Sequence, residues 1–181
     1  MENFVYEYPT KVYFGKGAAK THLPGILSAY GPNLLLAYGG GSIQKNGIYA
    51  EITQILKAAG KTVTEFAGIM SNPTYAKVQE GAKLARECKA DLVLAVGGGS
   101  VIDCCKIVCA QAVTDEDLWD LEMVQHKASS AAPILLGAVV TASGTGAEMN
   151  GGASSPTRTP RSRAACSPPP PGSLFWIRST P

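Results

Sequence analysis

Apolar residues in this chain fall into short runs whose period switches between strand-like and helix-like. Leu34 to Tyr38 and Leu92 to Val96 are unbroken apolar runs, and each stops at three glycines followed by a serine. Runs of that length between turn residues read as strands buried on both faces. Ile48, Ile52, Ile55, Leu56 and Ala59 recur at helical spacing, with Gly60 as the stop. Tyr75, Val78, Ala82, Ala85 and Cys88 mark one face of another helix, and Asn72-Pro73 is expected to open it as cap and first-turn proline. Residues 62–66 and 134–140 read as further strands, and 101–112 as a helix. A helix from Ala18 to Tyr30 is expected to break or restart at Pro24 and to end at Gly31. Phe4, Tyr6 and Tyr8 alternate with other residues, and with the β-prone Lys11 to Phe14 they predict an N-terminal antiparallel hairpin. Strands and helices alternate thereafter, which predicts an α/β fold with a doubly wound, mostly parallel sheet.

The two glycine turns echo one another. Leu34-Leu-Leu-Ala-Tyr-Gly-Gly-Gly-Ser resembles Leu92-Val-Leu-Ala-Val-Gly-Gly-Gly-Ser, and both stand where a strand hands over to a helix. Carboxyl ends of parallel strands are where open α/β sheets bind ligands. At Gly97 to Ser100, residues without Cβ let backbone approach a bulky anion, and the amides of Gly98, Gly99 and Ser100 would face it from a positive helix end. A plain tight turn needs fewer glycines, so a phosphate role is the stronger reading. Asp103 lies in the first turn of that helix. It either complements the helix dipole or hydrogen-bonds a nicotinamide ribose or carboxamide.

Dinucleotide folds usually place an acid where the adenosine ribose sits, to hold its 2′-hydroxyl. The end at Gly39 to Ser42 offers no carboxylate, and Lys45 lies close by, which leaves space for a 2′-phosphate and favours NADP(H) over NAD. A third strand end runs into Thr141-Ala-Ser-Gly-Thr-Gly-Ala-Glu-Met-Asn150. It reads either as a loop or as a hydroxyl-rich rim for a pyrophosphate or nicotinamide.

Composition narrows the partners. Of 181 residues, 45% are hydrophobic and 17% charged, with net charge +2, so nothing favours nucleic acid. No apolar run approaches the roughly 18 residues of a membrane helix. Met1-Glu2-Asn3 is acidic and no apolar run follows it, so no secretory signal is expected. Five cysteines, three of them within 104–109, fit reduced cytoplasmic thiols better than a disulfide framework. Cys105 and Cys109 share a helix face as buried small residues rather than metal ligands, and His22 and His126 read as structural or surface residues. The acidic stretch from Asp115 to Glu122 reads as a solvated loop.

Together these stretches resemble the iron-containing, metal-dependent alcohol dehydrogenases, and within them the NADPH-dependent butanol dehydrogenase branch. The resemblance rests on Tyr8-Pro-Thr-Lys-Val-Tyr-Phe-Gly15, Tyr38-Gly-Gly-Gly-Ser-Ile43, Ser71-Asn-Pro73, Ala95-Val-Gly-Gly-Gly-Ser-Val-Ile-Asp103 and Thr141 to Gly152. It implies a Rossmann-like cofactor domain over residues 1–152. It also implies cofactor contacts at Gly40, Gly41, Ser42, Asn72, Gly98, Gly99, Ser100, Asp103, Thr141, Thr145 and Asn150. The chemistry it implies is interconversion of a small primary alcohol and its aldehyde, in a homodimer when full length. In such enzymes a helical C-terminal domain supplies one Asp and three His to iron or zinc, a Lewis acid for the substrate oxygen while hydride moves at the nicotinamide. That domain is expected to be absent here, so residues of this chain are expected to supply neither metal ligands nor catalytic groups. A non-catalytic nucleotide-binding remnant is the alternative. A relative of glycerol dehydrogenase or dehydroquinate synthase fits the neutral Gly39 to Ser42 end and the Thr141 to Asn150 stretch less well.

Composition breaks after Gly152. Residues 151–181 carry four Arg, no Lys and no acid, and seven of the 12 prolines. The segment shows no strand or helix period and is expected to be a disordered tail over 153–181. A one-base shift of reading frame explains it. Across Trp176 and Ile177 the shifted codon must encode Asp, and across Phe175 and Trp176 it must encode Leu. The same frame permits Val-Ile-Thr-Asn-Glu-Asp-Thr-Lys-Ile beneath Ala153 to Ser162, in keeping with the resemblance. A frameshift near the Gly152 codon is therefore expected, and the nucleotide sequence there decides it.

Overall fold

The computed structural model describes residues 10–127, 129–155, 164–166 and 175–180. Its strands are β1 (Lys11–Lys16), β2 (Asn33–Tyr38), β3 (Thr62–Phe66), β4 (Leu92–Gly97), β5 (Leu135–Val140), β6 (Ala153–Ser155), β7 (Ala164–Cys166) and β8 (Phe175–Thr180). Its helices are α1 (Ala18–Leu27), α2 (Ser42–Lys45), α3 (Ile48–Ala58), α4 (Tyr75–Glu87) and α5 (Gly99–Gln111). Six strands form one sheet in the order β1-β8-β5-β4-β2-β3, and every pairing in it is parallel.

Leu34 to Leu36 favour helix by intrinsic propensity. The run between Pro32 and Gly39 is too short to pay back a helix nucleus, and it is apolar on both faces, so it runs as a strand. Alternation across that strand sorts the core into two halves. Leu34, Leu36 and Tyr38 pack with Leu92, Leu94 and Val96 under α1, α2 and α3. Leu35 and Ala37 pack with Val93, Ala95, Leu136 and Ala138 under α4 and α5. All six residues of β4 are buried. Each fully buried Leu or Val contributes roughly 1.5–3 kcal/mol.

The connections define where a ligand can sit. From β2 the chain moves outward through α2 and α3 to β3, and from β4 it moves the opposite way through α5 to β5. Adjacent β2 and β4 thus send their connections in opposite directions. A crevice opens at the carboxyl ends of two such strands.

Several details differ from the sequence reading. Pro24 sits inside an unbroken α1, which ends at Leu27. Asn72 does not cap α4. It adopts a left-handed backbone with φ 53°, and Thr74 is the cap, its hydroxyl accepting from the Lys77 amide at 3.3 Å. Asp115, Glu116 and Asp120 of the acidic stretch are exposed, as expected of a solvated segment, but its second half is helical rather than a loop. Asp117 accepts from the amide of Trp119 at 2.9 Å, and residues Asp120–Val124 form a π-helical turn. Residues 1–9, half of the expected hairpin, lie outside the described residues, and β1 pairs in parallel with β8. In the segment expected to lack a strand period, β6 pairs antiparallel with β7, and β8 fills the sheet between β1 and β5.

Candidate cofactor site

Both glycine turns meet at the crevice, and one side chain stands between them. A Cβ placed on Gly97 would lie 2.6 Å from Val101 Cγ2, and one on Gly39 would lie 3.6 Å from the same atom. The turn after β2 is held from the other side as well, where the Gly68 amide donates to Gly39 O at 3.2 Å and the Ile69 amide to Tyr38 O at 3.2 Å. The end of β5 is tied to the end of β4 by the Thr141 amide, which donates to Gly97 O at 3.0 Å. Three strand ends therefore share one rim.

The glycines at this rim are there for different reasons. Gly97 and Gly99 are required by internal packing, since a Cβ on Gly99 would lie 2.3 Å from Thr145 Oγ1. Gly98 has ordinary clearance, 3.5 Å from Ala142 O, and extended backbone. Nothing lies within 4 Å of a Cβ on Gly40, and only Gln44 Oε1, at 3.8 Å, approaches one on Gly41. The protein's own packing thus accounts for Gly97 and Gly99 but leaves room for a side chain at Gly98, Gly40 and Gly41. Absent side chains there fit close approach by a bulky ligand.

α5 begins at Gly99, two residues earlier than its apolar pattern predicts, which brings Gly99 and Ser100 into its first turn. No side chain caps it. The first amides of a helix lack intrahelical partners and carry the positive end of its dipole, so this end suits an anion. Lys45, exposed in the last turn of α2, adds a cation at the β2 end of the rim.

On the neighbouring strand β3, Glu65 pairs in register with Leu36 of β2. Its carboxylate accepts from the hydroxyls of both Tyr38 and Tyr49. The bond from Tyr38, then that from Tyr49, holds the Glu65 carboxyl below the usual carboxylate range. Both tyrosine hydroxyls are pushed upward, Tyr38 chiefly by burial and Tyr49 chiefly by its bond to Glu65.

The opposite end of the rim contains a residue that the sequence reading missed. Lys106 is only 3% exposed. Its ammonium donates to Asp103 Oδ1 at 3.2 Å, to Asn150 Oδ1 at 3.2 Å and to Gly152 O at 2.6 Å. Burial pushes its pKa down, and Asp103 pulls it back up. The signal was present in the sequence, because Lys106 is the one cation in the apolar run from Cys104 to Cys109 and stands three residues after Asp103. Asn150 is further fixed through its Nδ2, which donates to Gly146 O at 2.8 Å.

Of the residues expected to contact a cofactor, Gly98, Gly99 and Ser100 form the α5 end, Gly40, Gly41 and Ser42 the β2 end, and Thr141, Thr145, Asp103 and Asn150 the β5 side. Asn72 lies on the loop after β3, next to the residues hydrogen-bonded to the β2 turn. Cys104, Cys105 and Cys109 are buried, and burial pushes the Cys104 thiol up to about 12. His22 stacks against Tyr13 with ring centroids 4.5 Å apart. Among the described residues, no group of three or more His, Cys, Asp or Glu could hold a metal ion. Nor is any helix among them long and apolar enough to cross a membrane.

A doubly wound sheet with an uncapped helix end and open glycines at its switch point defines a dinucleotide-binding type of α/β fold. The model of the iron-containing alcohol dehydrogenase family matches residues 9–163, and the chain belongs to that family. It is 46% identical over 152 residues to the "Probable NADH-dependent butanol dehydrogenase 1" of Bacillus subtilis, covering 84% of this chain and 38% of the relative. It is 39% identical over 158 residues to the NADPH-dependent aldehyde reductase YqhD of Escherichia coli, covering 84% of this chain and 39% of that protein. The crystal structure of NADH-dependent butanol dehydrogenase A from Thermotoga maritima superposes with a TM-score of 0.87 at 35% identity, over 98% of this chain and 44% of that one. The chain thus spans less than half the length of the curated relatives it matches.

Proposed function

We propose that residues 1–152 form the cofactor-binding half of an NADP(H)-dependent oxidoreductase that interconverts a small primary alcohol and its aldehyde. The observation that carries this reading is the switch point between β2 and β4, with an uncapped α5 end and the open Gly98 and Gly40 facing one crevice. The pyrophosphate sits on the α5 end at Gly98, Gly99 and Ser100. The adenosine half runs over β2, at Gly40, Gly41, Ser42 and Asn72. The nicotinamide half runs over β5, along Thr141, Thr145, Asp103 and Asn150.

Preference for the 2′-phosphate follows from charge. No carboxylate stands on the β2 turn, Lys45 is exposed there, and Glu65 is engaged by two tyrosines. The named relatives include both NADH- and NADPH-dependent enzymes, so the preference rests on this chain's own residues. The family is iron-containing, and among the described residues no group of three or more His, Cys, Asp or Glu could hold a metal ion. We therefore assign this chain no catalytic step. The 181 residues alone bind cofactor without turning over, in the reduced environment of the cytoplasm, and the intact enzyme is a homodimer.

Calorimetric titration of the purified chain tests the reading. Saturable NADPH binding, at least tenfold tighter than NADH, supports it, and no binding at millimolar cofactor refutes it. Butanal reduction with added iron or zinc should be undetectable, and clear turnover would overturn the statement that these residues hold no catalytic centre.

A further inference from the structure

We infer that Lys106 is a positioning residue for the nicotinamide half of the site, fixing the segment after β5 against α5 without touching the cofactor. The inference rests on the cofactor placement proposed above. A lysine ammonium has three protons and accepts nothing. Here three acceptors surround it, on Asp103, Asn150 and Gly152. Every donor is used inside the protein, so none remains for a ligand.

The three acceptors come from two separate pieces of chain. Asp103 lies one helical turn before Lys106 on α5, while Asn150 and Gly152 lie beyond the 3-10 turn Ala147–Met149. Other side chains of that segment are held from within it, since Ser143 Oγ donates to Glu148 Oε1 at 3.1 Å and Asn150 Nδ2 to Gly146 O at 2.8 Å. Lys106 ties this segment to α5 by long-range hydrogen bonds. A cation is suited to the place because charge-assisted bonds are roughly twice as strong as neutral ones. Lys106 needs them because it is buried to 3% exposure, where an unpaired ammonium would be costly. Cation and segment therefore hold one another, and the width of the cleft at its β5 side is set by their bond.

The test compares two ligands on the 181-residue chain. NADPH spans the whole site, and adenosine 2′,5′-bisphosphate spans only the half away from Lys106. The variants are Lys106→Met, which removes the ammonium, and Lys106→Gln, which keeps a donor able to reach Asn150. A positioning role predicts that Lys106→Met weakens NADPH at least tenfold and leaves adenosine 2′,5′-bisphosphate within twofold of wild type, with Lys106→Gln between. Equal weakening of both ligands, or an unchanged NADPH affinity, overturns the inference. Should Lys106→Met not fold, Lys106→Gln decides by the same ratio. Wild-type chain that binds neither ligand overturns the proposed function itself, a result distinct from any involving the variants.

Discussion

Gly99 and Thr145 are mutually exclusive with a side chain, since a Cβ on Gly99 would lie 2.3 Å from Thr145 Oγ1. The helix start after β4 and the segment after β5 touch there with nothing to spare. Gly99→Ala is expected to destabilise the chain by about 1–3 kcal/mol through overpacking. Thr145→Ala in the same chain should recover part of that loss. Gly98→Ala should change stability by no more than about 0.5 kcal/mol, yet weaken NADPH if the cofactor lies as proposed. Urea unfolding and cofactor titration of the variants separate the two roles.

The β2 turn yields a charge prediction. Gly40 is exposed, and a side chain there meets no protein atom within 4 Å. Gly40→Asp should weaken NADPH at least tenfold, about 1.4 kcal/mol, by repelling the 2′-phosphate, and should leave NADH unchanged or tighter. Parallel titrations with the two cofactors check it. Equal effects on both would show that the adenosine ribose does not lie at this turn.

The buried thiols make stability depend on alkaline pH. The ordinary thiol value is 9.0, and burial holds Cys104 up to about 12. Above pH 9 the unfolded chain releases this proton and the folded chain does not. Stability from this group is therefore complete below pH 9 and is lost as pH rises from 9 towards 12. Urea midpoints should fall across that window, and less steeply in Cys104→Ala. At pH 8, mass-mapped alkylation should modify Cys104, Cys105 and Cys109 only once the chain unfolds.

At the end of α5 away from the crevice, the Tyr75 hydroxyl lies 2.7 Å from Asp117 Oδ1 and 2.9 Å from Gln111 Oε1, and accepts from the Trp119 amide at 3.1 Å. Tyr75→Phe removes one partner from each, while the Trp119 amide stays bonded to Asp117 Oδ1 and the Leu118 amide to Gln111 Oε1, so it should cost about 0.5–1.5 kcal/mol. Cofactor affinity measured well below the melting point should stay at the wild-type value.

Much of this architecture was legible in the sequence for simple reasons. β2 and β4 are short, apolar on both faces and closed by glycines, so their type and burial followed from the pattern. Pro24 misled because its missing N–H removes only one local hydrogen bond, and buried Leu23 and Leu27 keep α1 continuous through tertiary packing. Asn72-Pro73 misled because a threonine one residue further on was free to cap. β8 has no sequence signature, since its pairing depends on β1 and β5, far along the chain, and the three-residue strands β6 and β7 are too short to show a period. At the site, the glycine turns announced themselves, but their division of labour did not. That Gly99 serves Thr145 while Gly98 faces the crevice is a matter of ångströms between segments more than 40 residues apart. Lys106 escaped because a lone lysine in an apolar run becomes meaningful only once Asn150 and Gly152 are seen beside it.

Amide chemical shifts, followed while NADPH is added to the 15N-labelled chain, test the central claim most directly. The account predicts saturable shifts clustered at Gly40 to Ser42, Gly98 to Ser100 and Thr141 to Asn150, with the far ends of β2, β4 and β5 unmoved. Shifts scattered elsewhere, or none at millimolar NADPH, would contradict it.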